Sequence, residues 1–227
     1  MKIYKLHIFT FLIFLILGNS LSAQACNMDQ VWGEYFNFER TDDNLLIEIS
    51  TSCANENNVD AQYILAEIYY YNKDYTDAFK WLKNPIDKKN SSALYLAATM
   101  YEEGYHVKKN LKTALELYHQ AADKGDVDAQ FQLGFLYGTA SWAESFALKR
   151  DYKESLKWFK KAVEQDHPEA AFNIYVIYSN GWVNGDEDYW LKLAAELGHE
   201  EATTIYQKIS NKKELEKTIS DMLDEIR

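Results

Sequence analysis

Ala129-Gln130-Phe131-Gln132-Leu133-Gly134-Phe135-Leu136-Tyr137 is a stretch that the chain writes four times with variations. Matching segments open at Ala61, Ala93 and Ala170. Each has an aromatic residue two positions on (Tyr63, Tyr95, Phe131, Phe172) and a tyrosine eight positions on (Tyr69, Tyr101, Tyr137, Tyr178). A second element recurs behind each, anchored at Trp81, Leu117, Trp158 and Trp190. From this anchor to the next opening alanine, counting Ala202 as the fifth, the step is always 12 residues. From alanine to anchor it is 20, 24, 29 and 20. Length variation is thus confined to one loop of each unit, while the connection between units is fixed. A stacked array of supersecondary units behaves this way, because the stacking joint sets the geometry and insertions go to the free loops.

Both elements read as helices. In the first, apolar and small residues recur at i, i+4, i+5 and i+8, and small residues at Ala66, Ala98 and Gly134 let a neighbouring helix approach closely. In the second, Ala114, Leu117, Ala121 and Ala122 form a comparable stripe. Pairs such as Gly125-Asp126, Asp166-His167 and Gly198-His199 punctuate the fixed connection, where glycine closes a helix in the left-handed conformation at low cost.

The pattern A-x-x-x-L-G-x-x-Y, a loop, then A-x-x-W-x-x-A-A-x-x-G-x-x-x-A resembles the Sel-1-like repeat, a relative of the tetratricopeptide repeat. The resemblance covers residues 59–209 and is best over 93–128 and 129–169. It implies an all-α fold: an α/α solenoid (superhelix) of about four helical hairpins that holds another protein. The first repeat departs from the pattern, with a shorter loop and Pro85 in place of alanine, where proline is expected to end the helix early. In the fourth, Tyr175 takes the small position.

The flanks read as caps. Counting back twelve from Ala61 places Cys53 at the alanine position of a degenerate hairpin spanning 26–58, with Asp29 to Phe38 as its first helix and 43–55 as its second. In such a hairpin the start of one helix lies beside the end of the other, so Cys26 is expected to pair with Cys53 in a disulfide. The alternative is a free Cys53 buried as a small apolar residue. Residues 210–227, with Leu215, Ile219, Met222 and Ile226 at helical spacing, read as a C-terminal helix that shields the last repeat.

Residues 1–25 carry the order of a secretory signal peptide: a basic start at Lys2 and Lys5, an apolar run from Ile8 to Leu17, and Ala23-Gln24-Ala25 as cleavage site. The run is shorter than the roughly 20 residues that span a bilayer. The mature chain is therefore expected in the periplasm without a membrane span, or held there as a lipoprotein through Cys26. Removing the segment takes two lysines and no acid, and moves the net charge from −11 to −13.

Composition excludes several classes. Two prolines and nine glycines do not make a linker or a collagen. Two cysteines cannot build a disulfide-dense scaffold or a multi-cysteine metal site. The acidic balance argues against nucleic acid. The chain lacks the glycine-rich, nucleophile-elbow and H-E-x-x-H motifs of nucleotide binding, hydrolysis and zinc catalysis. His167 and His199 share one repeat position and read as structural; His106 and His119 lack metal-ligand neighbours at helical spacing. Asp123 to Asp128 and Asp186 to Asp188 read as helix caps. No catalytic residue, metal or cofactor is expected.

Exposed aromatics carry the stronger signal. The third loop, 138–150, holds Trp142 and Phe146, and the fourth holds Trp182; such rings either anchor a partner or fold back on the scaffold. By analogy with tetratricopeptide repeats, the inner surface would also present Glu67, Tyr70, Glu102 and Phe135. The resemblance extends to exported bacterial proteins. It therefore implies a protein that binds an effector toxin as an immunity protein of type VI secretion, or an envelope scaffold that binds a membrane sensor; in either role the chain is expected to be a monomer. A hydrolase or β-lactam binder is the third reading, set back by the lack of one cysteine pair per repeat.

Overall fold

The structure is a computed structural model that describes residues 26–36, 44–139 and 148–226, with side chains to residue 221. The signal segment lies outside the described residues. Those described form eleven helices and no strand, and none of these helices is long and apolar enough to cross a membrane. The helices are α1 (Met28–Tyr35), α2 (Asn44–Asn55), α3 (Val59–Tyr71), α4 (Tyr75–Asp87), α5 (Ser91–Glu103), α6 (Leu111–Asp123), α7 (Val127–Gly138), α8 (Tyr152–Val163), α9 (Pro168–Ser179), α10 (Glu187–Glu196) and α11 (Glu200–Ile226). They fall into two compact units, dividing between Asn84 and Pro85.

In the first unit, Val31, Leu46, Cys53, Ile64 and Leu65 are buried together, with Trp32, Tyr69 and Trp81 packed on them. Each such aliphatic side chain withdrawn from water contributes about 1.5–3 kcal/mol before the entropy of ordering is counted. Cys26 and Cys53 are joined by a disulfide, with Cα atoms 4.4 Å apart across 27 residues of sequence. A cross-link of that span stabilises by restricting the unfolded chain, by about 3–4 kcal/mol. It ties down a first helix of only eight residues.

The second unit has three successive cores. The first gathers Leu94, Ala98, Tyr118, Leu133 and Leu136; the second Leu156, Phe159, Ile174 and Ile177; the third Ala171, Leu191, Ala194 and Ala202. Consecutive helices from α5 to α11 pack in pairs. The small position explains the tightest pair: a Cβ on Gly134 would lie 2.5 Å from the Phe159 ring, so α7 and α8 meet at a distance that only glycine permits. Ser155 Oγ then donates to the Gly134 carbonyl at 2.6 Å.

The fixed step of twelve has a single local cause. At every joint the second helix ends in a left-handed residue: Asn57, Lys89, Gly125, Asp166 and Gly198, with φ of 64°, 56°, 93°, 60° and 94°. The next residue (Asn58, Asn90, Asp126, His167, His199) donates its backbone N–H back to the carbonyl of Cys53, Pro85, Ala121, Ala162 or Ala194 at 2.9–3.2 Å. That bond closes a Schellman motif. The same residue then caps the following helix, its side chain accepting from the N–H of Ala61, Ala93, Ala129, Ala170 or Ala202 at 2.9–3.2 Å. One residue therefore ends one helix and starts the next. The repeat alanine is the third residue of its helix and is wholly buried in all five cases.

Two features differ from the sequence reading. α4 runs through Pro85 to Asp87. The proline sits in the last turn, so it forfeits one helical bond, and its own carbonyl still serves as the acceptor from Asn90. The C-terminal element is no separate helix: α11 is continuous from Glu200, through the position where a cap at 210–227 was expected to start. Its first turns pack through Ala202, Ile205 and Tyr206, while Leu215 and Ile219 are 60% and 49% exposed.

Lysine at a left-handed position carries a steric cost that glycine does not. Lys89→Gly should raise stability by about 0.5–1 kcal/mol. His167→Ala should cost about 1–2 kcal/mol through loss of both the cap and the ring stacked on Phe131 at 4.6 Å. His167→Asn, which restores the cap alone, should recover roughly half of that loss. Urea midpoints at unchanged slope measure all three.

Candidate protein-binding surface

The sequence-selected residues divide into three groups. Trp142 and Phe146 lie outside the described residues. Glu67, Tyr70, Glu102 and Phe135 are engaged within the scaffold to different degrees. Trp182 is exposed.

In the first unit, Glu67 is half-buried and accepts hydrogen bonds from the hydroxyls of Tyr35 and Tyr63, the latter at 2.8 Å. Burial, followed by the Glu67 hydrogen bond and negative charge, pushes the Tyr35 hydroxyl well above the usual tyrosine range, so it stays a donor. Glu67 thus fixes the degenerate first hairpin to α3. Tyr70 is half-buried and meets the rings of Tyr71 and Tyr75 edge-on, with centroids 5.6 and 5.7 Å apart. Tyr71, which the sequence reading did not select, is the more open member at 73% exposure.

In the second unit, Glu102 is not on a binding surface. It is 3% exposed and accepts from the Tyr118 hydroxyl at 2.6 Å, with Thr99 Oγ1 3.3 Å from the same oxygen. The tetratricopeptide analogy places it inward, and in this chain the bulky Tyr118 on α6 closes over that position. Burial raises the Glu102 carboxyl above the ordinary carboxylate range, against the Tyr118 hydrogen bond that lowers it. Phe135 is half-buried and packs with Phe131 on the α8–α9 core. His119 packs between Tyr137 and Trp158, and burial holds it below its usual range, so it stays neutral and structural. The first aromatics of the repeats are half-buried, and Phe131 and Phe172 stack on the capping rings of His167 and His199.

Trp182 is 49% exposed. Its ring stacks on Tyr152 at 4.6 Å and 11°, and Arg150 lies over the other ring partner, with its guanidinium 5.7 Å from the Tyr152 centroid and Nη1 3.1 Å from the hydroxyl. The loop that carries Trp182 is pinned, because a Cβ on Gly185 would meet the Tyr178 ring at 2.4 Å. An amphipathic aromatic held rigid and half open has the properties of an interface anchor. Beside it runs a lysine-rich face of α8, missed in the sequence reading although Lys153, Lys157, Lys160 and Lys161 stand at helical spacing. Among the described residues no group of three or more histidine, cysteine or acidic side chains is placed to hold a metal.

The helical joints and packing define a repeat scaffold, and comparison identifies it. The Sel1 repeat model matches residues 59–84, 91–126, 127–167 and 189–199. The chain belongs to the Sel1 repeat family, whose members are generally protein-interaction scaffolds. Among solved structures, a Sel1 repeat protein from Oxalobacter formigenes is 31% identical with a TM-score of 0.55, over 66% of this chain and 59% of that one. A protective antigen of uropathogenic Escherichia coli with the same repeat fold is 21% identical with a TM-score of 0.60, over 74% of this chain and 37% of that one. An immunity protein from Pseudomonas aeruginosa is 19% identical with a TM-score of 0.53, over 77% of this chain and 66% of that one. This chain therefore spans less than two thirds of the first two relatives, and the likeness to the last two is one of fold. None of the curated proteins matches the sequence.

Glu102 gives the second unit a pH signature. A carboxyl whose folded pKa lies above its unfolded value holds its proton longer when folded, so stability is greatest below the unfolded pKa and falls as pH rises through the folded one. Glu102→Gln keeps an acceptor for Tyr118 and removes the buried charge. It should abolish that slope and leave the variant at least as stable as the parent at pH 8. Glu102→Ala, which leaves the Tyr118 hydroxyl only the longer contact to Thr99 Oγ1 at 3.3 Å, should lose about 1–3 kcal/mol at every pH. Thermal melts from pH 4 to 8 measure both.

Proposed function

We propose that this Sel1-repeat scaffold is an exported immunity protein, which binds a secreted antibacterial effector of the type VI secretion kind and blocks its active site. The observation that carries the reading is the architecture: an array of capped hairpins whose candidate polar residues are spent on packing, beside a rigid, half-open aromatic at Trp182. Such a surface binds rather than turns over. The fold is shared with a solved immunity protein of Pseudomonas aeruginosa, which supports the reading at the level of fold.

The export order of residues 1–25 favours the periplasm, where an incoming effector would act. The disulfide between Cys26 and Cys53 suits an oxidising compartment and competes with lipidation of Cys26. On this reading the protein has no catalytic role, needs no cofactor and acts as a monomer.

A bacterium that carries the gene should be poisoned by sister cells when the gene is deleted, and rescued by the exported chain but not by a version lacking residues 1–25. Competition assays with and without an active secretion system measure this. Unchanged survival of the deletion strain rejects the immunity role, and co-purification of a membrane sensor in place of a toxin would favour an envelope scaffold.

A further inference from the structure

The chain is acidic overall, at −11, yet its basic residues are not spread evenly. Residues 149–161 hold six (Lys149, Arg150, Lys153, Lys157, Lys160 and Lys161) against two acids, Asp151 and Glu154. The structure gathers the four lysines of α8 along a cleft of about 570 Å³. Its other walls are apolar or aromatic: Leu156 from α8, Tyr178 from the end of α9, and Val183 from the loop that follows. Glu164 also lines it.

The lysines are displayed rather than neutralised. Among the described residues, Glu154 pairs with Lys157 at 2.7 Å, and it is the only carboxylate in an ion pair with this set. Lys161 and Lys160 instead rest over the rings of Trp158 and Trp190, with Nζ 4.2 and 5.9 Å from the centroids. Cations held on aromatic faces keep their charge available and lose little freedom when an anion arrives. Packing of the Gly185 backbone on the Tyr178 ring fixes the wall of the cleft, and the Trp182–Tyr152–Arg150 stack is joined to it through Val183 and Lys153, the chain neighbours of Trp182 and Tyr152. Arg150 carries the positive charge past the cleft onto that stack.

We propose that this α8 cleft is the docking site for an acidic segment of the protein partner, with carboxylates on Lys153, Lys157, Lys160 and Lys161 and an apolar side chain against Leu156, Tyr178 and Val183. Charge complementarity selects this occupant. The rest of the chain carries net negative charge and repels an acidic segment, so attraction is confined to one face, and such a field sets both encounter rate and orientation. The apolar wall supplies the contact that a pure counter-ion site lacks. The proposal rests on the protein-binding reading above and narrows it to a face and a chemistry.

The probe is a fluorescein-labelled peptide of eight glutamates interrupted by one phenylalanine, titrated with residues 26–227 and followed by anisotropy. The expected result is saturable binding that weakens steeply between 50 and 300 mM salt, because exposed charges are screened over about 10 Å at 0.1 M. Binding should weaken by about tenfold or more in Lys153→Glu/Lys160→Glu, with no binding of the lysine counterpart of the peptide. Lys153→Ala/Lys160→Ala, a milder change, should weaken it in the same direction if the charge reversal disturbs folding. No saturable binding, or equal affinity in folded variants, overturns the proposal. So does binding to vesicles of anionic phospholipid in place of the peptide. The immunity reading fails separately: a natural partner that co-purifies equally with parent and double variant contradicts the cleft alone, whereas unchanged survival of the deletion strain contradicts the immunity role.

Discussion

The structure depends on one residue at each joint serving two helices at once. Its backbone N–H closes the Schellman motif of the helix behind, and its side chain caps the helix ahead. Neither role tolerates a shift. Moving the residue by one position would leave an orphan carbonyl at one helix end or an orphan N–H at the other, and would rotate the buried alanine away from its neighbour. The spacing from anchor to alanine is therefore invariant, while the loops inside the hairpins range freely.

This constraint explains which parts of the fold are visible in the sequence. The twelve-residue step, the small position at Gly134 and the repeat tyrosines are packing requirements that recur, so repetition exposes them. The cap itself is harder to see, because Asn58, Asn90, Asp126, His167 and His199 have unlike side chains that share only an acceptor atom in the right place. His167 and His199 are recognisable as one structural slot, but their role emerges only when Nδ1 is found facing the backbone. The continuity of α11 is invisible for the opposite reason. A stripe at Leu215 and Ile219 has the period of a packed helix whether or not a partner helix is there.

The binding surface was less legible. Recurrent positions such as Glu102 carry a family expectation, yet whether a glutamate faces a groove or a tyrosine depends on the side chain opposite. In this chain Tyr118 supplies that side chain, and the carboxylate is spent inside. Glu67 is similarly occupied by tyrosine hydroxyls. Trp182 keeps its promise of exposure because it sits in a variable loop, where the repeat makes no demand. The lysine face of α8 was spelled out at helical spacing and overlooked because the overall charge is acidic. Net charge is a poor guide to a surface when a single helix departs from it.

The joint, not the loop, fixes the architecture, and two single-residue insertions separate the two. One alanine inserted between Gly125 and Asp126 breaks the shared cap; one inserted between Val107 and Lys108 falls in the variable loop inside a hairpin, where Lys108 is exposed. Thermal unfolding followed by circular dichroism should show the loop insertion melting within about 2 °C of the parent, while the joint insertion loses about 8 °C or more or fails to unfold cooperatively. Equal melting temperatures for the two insertions would mean that the joint does not fix the architecture.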